Sequence, residues 1–397
     1  MSGAARAVFL MKAWLSRNLL ALGAVSLLTD MASEMIIPLL PTFLASIGAG
    51  AMALGLMEGM ADAGSSVLKL FSGRWSDRLG RCRPFILAGY VLSSAAKPCF
   101  ALARFPGELL ALRLLDRAGK GLRSSPRDAL LSASTPPEHR GKAFSLHRAM
   151  DHLGAVLGPL VALGLMQVWT RELRPIFWAA TVPGLLCVIV IALFVKETPT
   201  AVAVPPTREA AALFFQRPLA GFFLALALFA LGNASDTFLL LKAGEAGVPL
   251  ELLPLLWAAF HVVKIAASLG SGFLADRVGQ RRTVLAGWGV YAAIYAAMAW
   301  AHDPATIALL FVIYGLYHGL TEGQERALVA AATPAGAHGA AFGWYHLICG
   351  LAALPASVLF GWIYETSGSR AAFLTGTGFA LAGSLALAIW RPPQPAR

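Results

Sequence analysis

Asp30 and Glu34 stand four residues apart in a long apolar run, so on a helix they share one face. Two carboxylates that close in a dry site cannot both stay ionised cheaply, and such a pair is suited to take up and release a proton. Asp236 sits similarly in a later apolar run, at an offset of 202 from Glu34. The run from Leu109 to Leu131 carries Arg113, Asp116, Arg117 and Lys120. At about 100° per residue they fall on one face of a helix. A charge at mid-bilayer costs about 2.5–3.5 kcal/mol, so four facing lipid would cost on the order of 10 kcal/mol. That face must line protein or water.

Other polar residues fall on shared faces of apolar runs. Glu58 and Asp62 form a stripe with Ser65 and Lys69. His147, Arg148, Asp151 and His152 open another run. A His-x-x-x-Asp-His spacing can ligate a metal, but a guanidinium among the ligands argues against it, and no metal site is expected. His261, Lys264 and Ser268 share one face, and His318, Glu322 and Glu325 another. Lys69 and Lys97 lie towards the ends of their runs, where a lysine reaches interfacial water. There is no P-loop and no recognisable nucleophile–base pair, so neither an enzyme nor a cofactor is expected.

The elements that carry these residues are membrane helices. Of the 397 residues 57% are hydrophobic and only 13% charged, against about a quarter charged in a soluble domain. About twelve runs are long enough to cross a bilayer as helices. They are Leu19–Leu44, Met52–Phe71, Phe85–Ala103, Leu109–Leu131, Ala143–Val168, Ile176–Val195, Leu219–Leu241, Leu252–Leu274, Thr283–Trp300, Thr306–Ala331, Ala340–Tyr364 and Ala371–Trp390. The first is too long for a cleaved signal peptide. A proline-rich linker, residues 196–216, separates a first half (1–195) from a second (217–397). The net charge of +11 is concentrated in alternate loops: Arg6, Lys12 and Arg17, Arg140 and Lys142, the linker and Arg391 share one side. By the positive-inside bias both termini are cytoplasmic. That distribution answers to a membrane, and no nucleic-acid partner is expected. The four cysteines are far apart and form neither a disulfide framework nor a zinc pattern.

The chain repeats itself. Gly73, Asp77, Arg78 and Gly80, in the stretch GRWSDRLGRCRP, recur as Gly272, Asp276, Arg277 and Gly279 at an offset of 199. RDALLSASTP at Arg127–Pro136 answers ERALVAAATP at Glu325–Pro334, and His318 answers Lys120. Two six-helix halves in parallel duplication, with a site between them near the midplane, is a transporter plan.

With these motifs the chain resembles the major facilitator superfamily over nearly its whole length. The stretch at Gly73 is similar to the family's motif A, with Trp75 where leucine is usual and Cys82 where a base is usual. Leu115-Asp116-Arg117-Ala118-Gly119-Lys120-Gly121 resembles motif B, with lysine in place of a usual glutamine. Gly154-Ala-Val-Leu-Gly158-Pro159 resembles motif C of proton-coupled exporters, without its closing Gly-Gly, and Pro38 and Pro41 match a common proline pair. The resemblance implies an all-helical membrane protein of two pseudo-symmetric six-helix bundles, monomeric and in the inner (plasma) membrane. It implies a secondary transporter using protons, with Glu34, Asp30 and Asp236 exchanging them. Arg113, Asp116, Arg117, Lys120, Glu58, Asp62, His147, Asp151, His261, Lys264, His318 and Glu322 would line the cavity. Gly73, Asp77, Arg78, Gly80, Arg81 and Asp128, with Gly272, Asp276, Arg277 and Gly279, would form a conformational hinge and lock. Three bases against one acid in the fourth run favour a small anionic or zwitterionic amphiphile, and the likeness to motif C implies that it is moved outward. Proton-symport uptake of an organic anion such as a carboxylate siderophore, and a receptor that does not transport, are the alternatives.

Overall fold

The computed structural model describes residues 15–136, 140–198, 217–333 and 338–390, apart from the side chains of Asp77 and of residues 140–142, 145, 217–218 and 338–340. Arg6 and Lys12, most of the linker, Pro334 and Arg391 lie outside the described residues. The helices are α1 (Arg17–Glu34), α2 (Leu40–Ser46), α3 (Ala51–Leu79), α4 (Arg83–Phe100), α5 (Pro106–Ala133), α6 (Arg140–Val168), α7 (Leu173–Ala179) and α8 (Thr181–Phe194). After the linker come α9 (Arg217–Gly232), α10 (Thr237–Glu245), α11 (Leu252–Val278), α12 (Gln280–Trp300), α13 (Pro304–Ala331) and α14 (His338–Ile389). No strand occurs among the described residues, as expected where lipid offers the backbone no partner.

Among the described residues, eight helical stretches are long and apolar enough, by length and composition, to cross a membrane. One of them, Ala341–Ile389, has 49 residues, about twice the ~20 that a bilayer needs. Gly368 breaks it, with φ +85° in the left-handed region. The charged helices α3, α4 and α5 add the rest of the twelve expected crossings. Large apolar side chains such as Val168 (85% exposed) and Phe273 (75%) point outwards, which suits hydrocarbon and not water.

Three expected spans are not continuous helices; the sixth breaks at Ala180, between α7 and α8. The first is interrupted after Glu34 by a 3-10 turn, Ile37–Leu39, before α2 starts. Pro38 and Pro41 explain this, because neither can donate a helical hydrogen bond. The seventh is interrupted between Gly232 and Thr237, and Asp236 stands at the start of α10 rather than inside a helix.

The duplication is visible in the backbone. Gly48 (φ 86°) pairs with Gly247 (φ 91°), and Gly80 (φ 61°) with Gly279 (φ 91°), each 199 apart. These positions demand left-handed backbone, which glycine adopts without penalty. The same offset puts Asn233, not Asp236, opposite Glu34 (34 + 199). The offset of 202 therefore does not follow the structural register, and Asp236 answers Ile37 instead.

The chain divides into two compact units, one of Met1–Ile37 with Val67–Val204 and one of Pro38–Ser66 with Pro205–Arg397. The first has a core of Leu19, Leu22, Val25, Ile86, Tyr90, Leu130, Cys187 and Ile191. The second is rich in rings: Phe229 stacks on Trp288 with centroids 4.3 Å apart, and Tyr291 on Tyr295 at 4.1 Å. The first part of α3 belongs to the second unit because small residues let it approach α14. A Cβ on Gly55 would lie 2.1 Å from the Ser357 carbonyl oxygen, and one on Gly59 2.8 Å from Leu354 Cα. Close approach of this kind is how helices gain packing in lipid.

In the first unit the stretch after Gly73 is anchored at its far end. Glu197 accepts from the backbone N–H groups of Cys82 and Arg83, both at 2.9 Å, and so caps α4. Arg83 donates to the Ala192 carbonyl at 2.9 Å. The second unit repeats the device, with Arg281 donating to the Leu387 carbonyl at 2.9 Å and also to that of Ala388.

Candidate functional site

In the first unit, Asp116 is buried at the centre of a polar cluster. Lys97 Nζ lies 3.4 Å from its Oδ1 and Arg113 Nη1 3.6 Å from its Oδ2, and Ser93 donates to Oδ1. Lys97 also reaches Ser33 Oγ at 3.2 Å. Lys97 is only 2% exposed, so it does not reach interfacial water as its place in the run suggested. A buried acid offers its ammonium more than the bilayer surface does. The cluster exists because α4 and α5 pack closely: Cβ atoms on Gly89 and Gly119 would each come within 2.6 Å of the other's carbonyl oxygen.

A second group of charges gathers around Lys120, whose neighbours are Arg117, Asp30, Lys69 and Arg123. Those around Asp30 include Asp151, Lys120, Glu34 and Arg123. Lys120 is exposed although it lies mid-helix, and Asp30, Glu34 and Arg117 are half-buried. A lysine accessible at mid-span belongs on a water-filled face, since lipid would not tolerate it. Arg123 stacks on Tyr90, 4.3 Å from the ring centroid. Asp151 accepts from Ser26 and lies 3.4 Å from Arg148, and His147 is buried.

The glycines of the motif C-like stretch set the position of the two carboxylates. A Cβ on Gly154 would meet Leu27 O at 2.4 Å and Asp30 Cβ at 3.1 Å. One on Gly158 would meet Met31 O at 2.5 Å and Glu34 Cβ at 2.9 Å. Helix α6 thus packs directly behind Asp30 and Glu34. Gly158→Val should push α1 away and lower thermal stability by about 1–3 kcal/mol. Gly164→Ala on the same helix meets nothing within 4 Å and should be silent. Melting of the two purified variants checks this; equal melting temperatures would refute the packing role.

In the second unit, His318 Nε2 lies 3.1 Å from Asp236 Oδ2, and the Tyr314 hydroxyl donates to Oδ1 at 2.9 Å. Lys264 Nζ lies 3.6 Å from Glu322 Oε2. His261 is buried against the rings of Trp257 and Phe260. Gly315 and Gly319 allow this, since their Cβ atoms would lie 2.6 Å from Phe260 O and 2.3 Å from Ala267 Cβ on α11. Glu58 is buried and Asp62 half-buried on the part of α3 that packs with this unit, whereas Lys69 belongs to the first. Sequence reasoning missed Ser33, Ser93 and Tyr314. Tyr314 had a signal, because it lies one turn before His318.

At the hinge, Arg78, Arg81, Asp276 and Arg277 are exposed. Asp128 pairs with its neighbour Arg127 at 3.0 Å, and the Asp77 side chain lies outside the described residues. Gly73 gives Ser125 room, with a Cβ contact at 3.2 Å, but Gly272 has nothing within 4 Å. Among the described residues no group of three or more His, Cys, Asp or Glu is placed to hold a metal.

The family model of the Major Facilitator Superfamily matches residues 22–323 and 222–397. The chain belongs to the major facilitator superfamily. It is 31% identical over 379 residues to an uncharacterized MFS-type transporter of Methanocaldococcus jannaschii, covering 94% of each chain. A shorter match, 35% identical over 125 residues, links it to the multidrug resistance protein MdtH of Cronobacter sakazakii, covering 32% of this chain and 31% of that one. The crystal structure of nucleoside transporter NupG superposes with a TM-score of 0.77 at 13% identity, covering 94% of this chain and 98% of that one. At that identity the likeness is one of fold. This major facilitator protein is a multi-pass membrane transporter, from a family that binds small-molecule substrates and is generally not enzymatic.

Proposed function

We propose that this protein is a proton-coupled exporter of small amphipathic organic molecules that are anionic or zwitterionic. The observation that supports this best is the cluster of Asp30, Glu34, Arg117 and Lys120, with its lysine accessible at mid-span. Bases on a wet face attract a counter-charge. Carboxylates beside them let a proton and an anionic group compete for the same charges, which is the physical basis of coupling. One charge crossing about 100 mV supplies about 2.3 kcal/mol, enough for a gradient of roughly fiftyfold. The outward direction is favoured by the 125-residue likeness to a multidrug resistance protein and by the resemblance of Gly154-Ala-Val-Leu-Gly158-Pro159 to motif C of exporters. In this reading the protein works as a monomer in the inner (plasma) membrane with both termini cytoplasmic. The protein alternates between two states, and the repeated hinges lock one of them.

The test is a thermal-shift screen of purified protein against anionic, cationic and neutral amphiphiles, followed by flux of the best ligand in liposomes. Anionic or zwitterionic ligands should stabilise most, and an imposed pH gradient should drive them uphill. Stabilisation by cations alone would refute the substrate class. Flux indifferent to the pH gradient would refute the coupling. Accumulation instead of loss in cells would favour uptake, and no flux at all would favour a receptor.

A further inference from the structure

Glu325, on α13, is 6% exposed. Trp288 Nε1 on α12 donates to its Oε1 at 2.8 Å, and the Tyr345 hydroxyl on α14 donates to its Oε2 at 2.8 Å. Both partners are neutral and buried. Glu325 makes no ion pair among the described residues, whereas Asp236 has His318 and Glu322 has Lys264. The titratable groups around it are Glu322, Arg326 and Tyr317 on α13, with Tyr345 and Cys349 on α14. Glu322 repels a negative charge there and Arg326 attracts one.

The donors fix where a proton can go. An indole N–H only donates, so Oε1 must accept from Trp288 in either charge state. A tyrosine hydroxyl donates or accepts. When the acid is ionised, Tyr345 donates to Oε2. When it is protonated, Oε2–H donates to the Tyr345 oxygen, and the Tyr345 hydrogen turns away. Both states satisfy both carboxyl oxygens without moving a helix. A buried carboxylate with no paired cation is costly to keep ionised, and here the neutral form has a partner already in place.

We infer that Glu325 is a proton-binding site of the second unit, with the proton carried on Oε2 opposite Tyr345. Binding of the proton stands on this geometry alone; its use in transport rests on the exporter reading above. The site joins three spans, so its charge state bears on how α12, α13 and α14 hold together.

The experiment is a pH-difference infrared titration of the purified full chain in lipid nanodiscs, paired with pH-driven flux in liposomes. The unmodified protein should gain a protonated-carboxyl band as the pH falls. Glu325→Gln should lose the Glu325 part of that band, and Asp236→Asn should keep it. Tyr345→Phe removes a hydrogen bond from both forms, but the charged form loses the stronger one, so that transition should move up by roughly one pH unit, a tenfold change in proton affinity. A band unchanged in Glu325→Gln overturns the site. Should that variant fail to fold, Tyr345→Phe decides, and an undisplaced transition overturns the site. Flux without pH dependence beside an intact band would sink the exporter reading and leave this site standing. pH-driven flux beside a band indifferent to Glu325→Gln would do the reverse.

Discussion

Asp116→Ala destabilises the protein by about 3–5 kcal/mol, because it leaves buried bases without their acid. Lys97 at 3.4 Å and Arg113 at 3.6 Å both lie against this carboxylate, and both are 2% exposed. The loss should show as a lower melting temperature and poor recovery from the membrane. The pairing with Lys97 makes a sharper claim. Adding Lys97→Met to Asp116→Ala should recover part of the stability, because the second change removes one stranded charge. Double-mutant analysis of melting checks this. Additive losses would mean that the two residues do not act as a pair.

Glu34→Gln should abolish uphill transport driven by a pH gradient while leaving substrate-for-substrate exchange intact. Glutamine keeps the shape of the protonated acid and cannot release the proton. The residue ends α1, and α6 packs behind it through Gly158. It is half-buried, so the side chain is accessible to a proton. Liposomes with and without a pH gradient separate the two activities. Retained pH-driven accumulation would exclude Glu34 as the coupling acid and pass the role to Asp30. Loss of exchange as well would mean that Glu34 binds substrate instead of coupling it to protons.

The membrane-spanning class, the near-twofold repeat and the identity of most charged residues inside the spans were legible in the chain itself. Lipid gives the backbone no partner and charges no refuge, so a sequence of apolar runs with charges on one face has few ways to fold. The glycines at 80 and 279 could be picked out because a tight turn at the same place in each half requires the same residue. Partnership was not legible. Lys97 has the same sequence surroundings as a lysine at the bilayer surface, yet it is buried against Asp116. Asp236 and Glu322 each had more than one base available, and the structure gave one to His318 and the other to Lys264. Glu325 shared a helical face with both His318 and Glu322 but found an indole and a phenol. Helical periodicity fixes which face a residue occupies. What that face meets depends on how closely two helices approach, and glycines at 89, 119, 158 and 319 set that distance, between consecutive helices at 89 and 119 and between helices not adjacent in sequence at 158 and 319. The run of residues along one helix holds no information about the neighbour's rotation and height, so the pairing of charges was decided only when the helices packed.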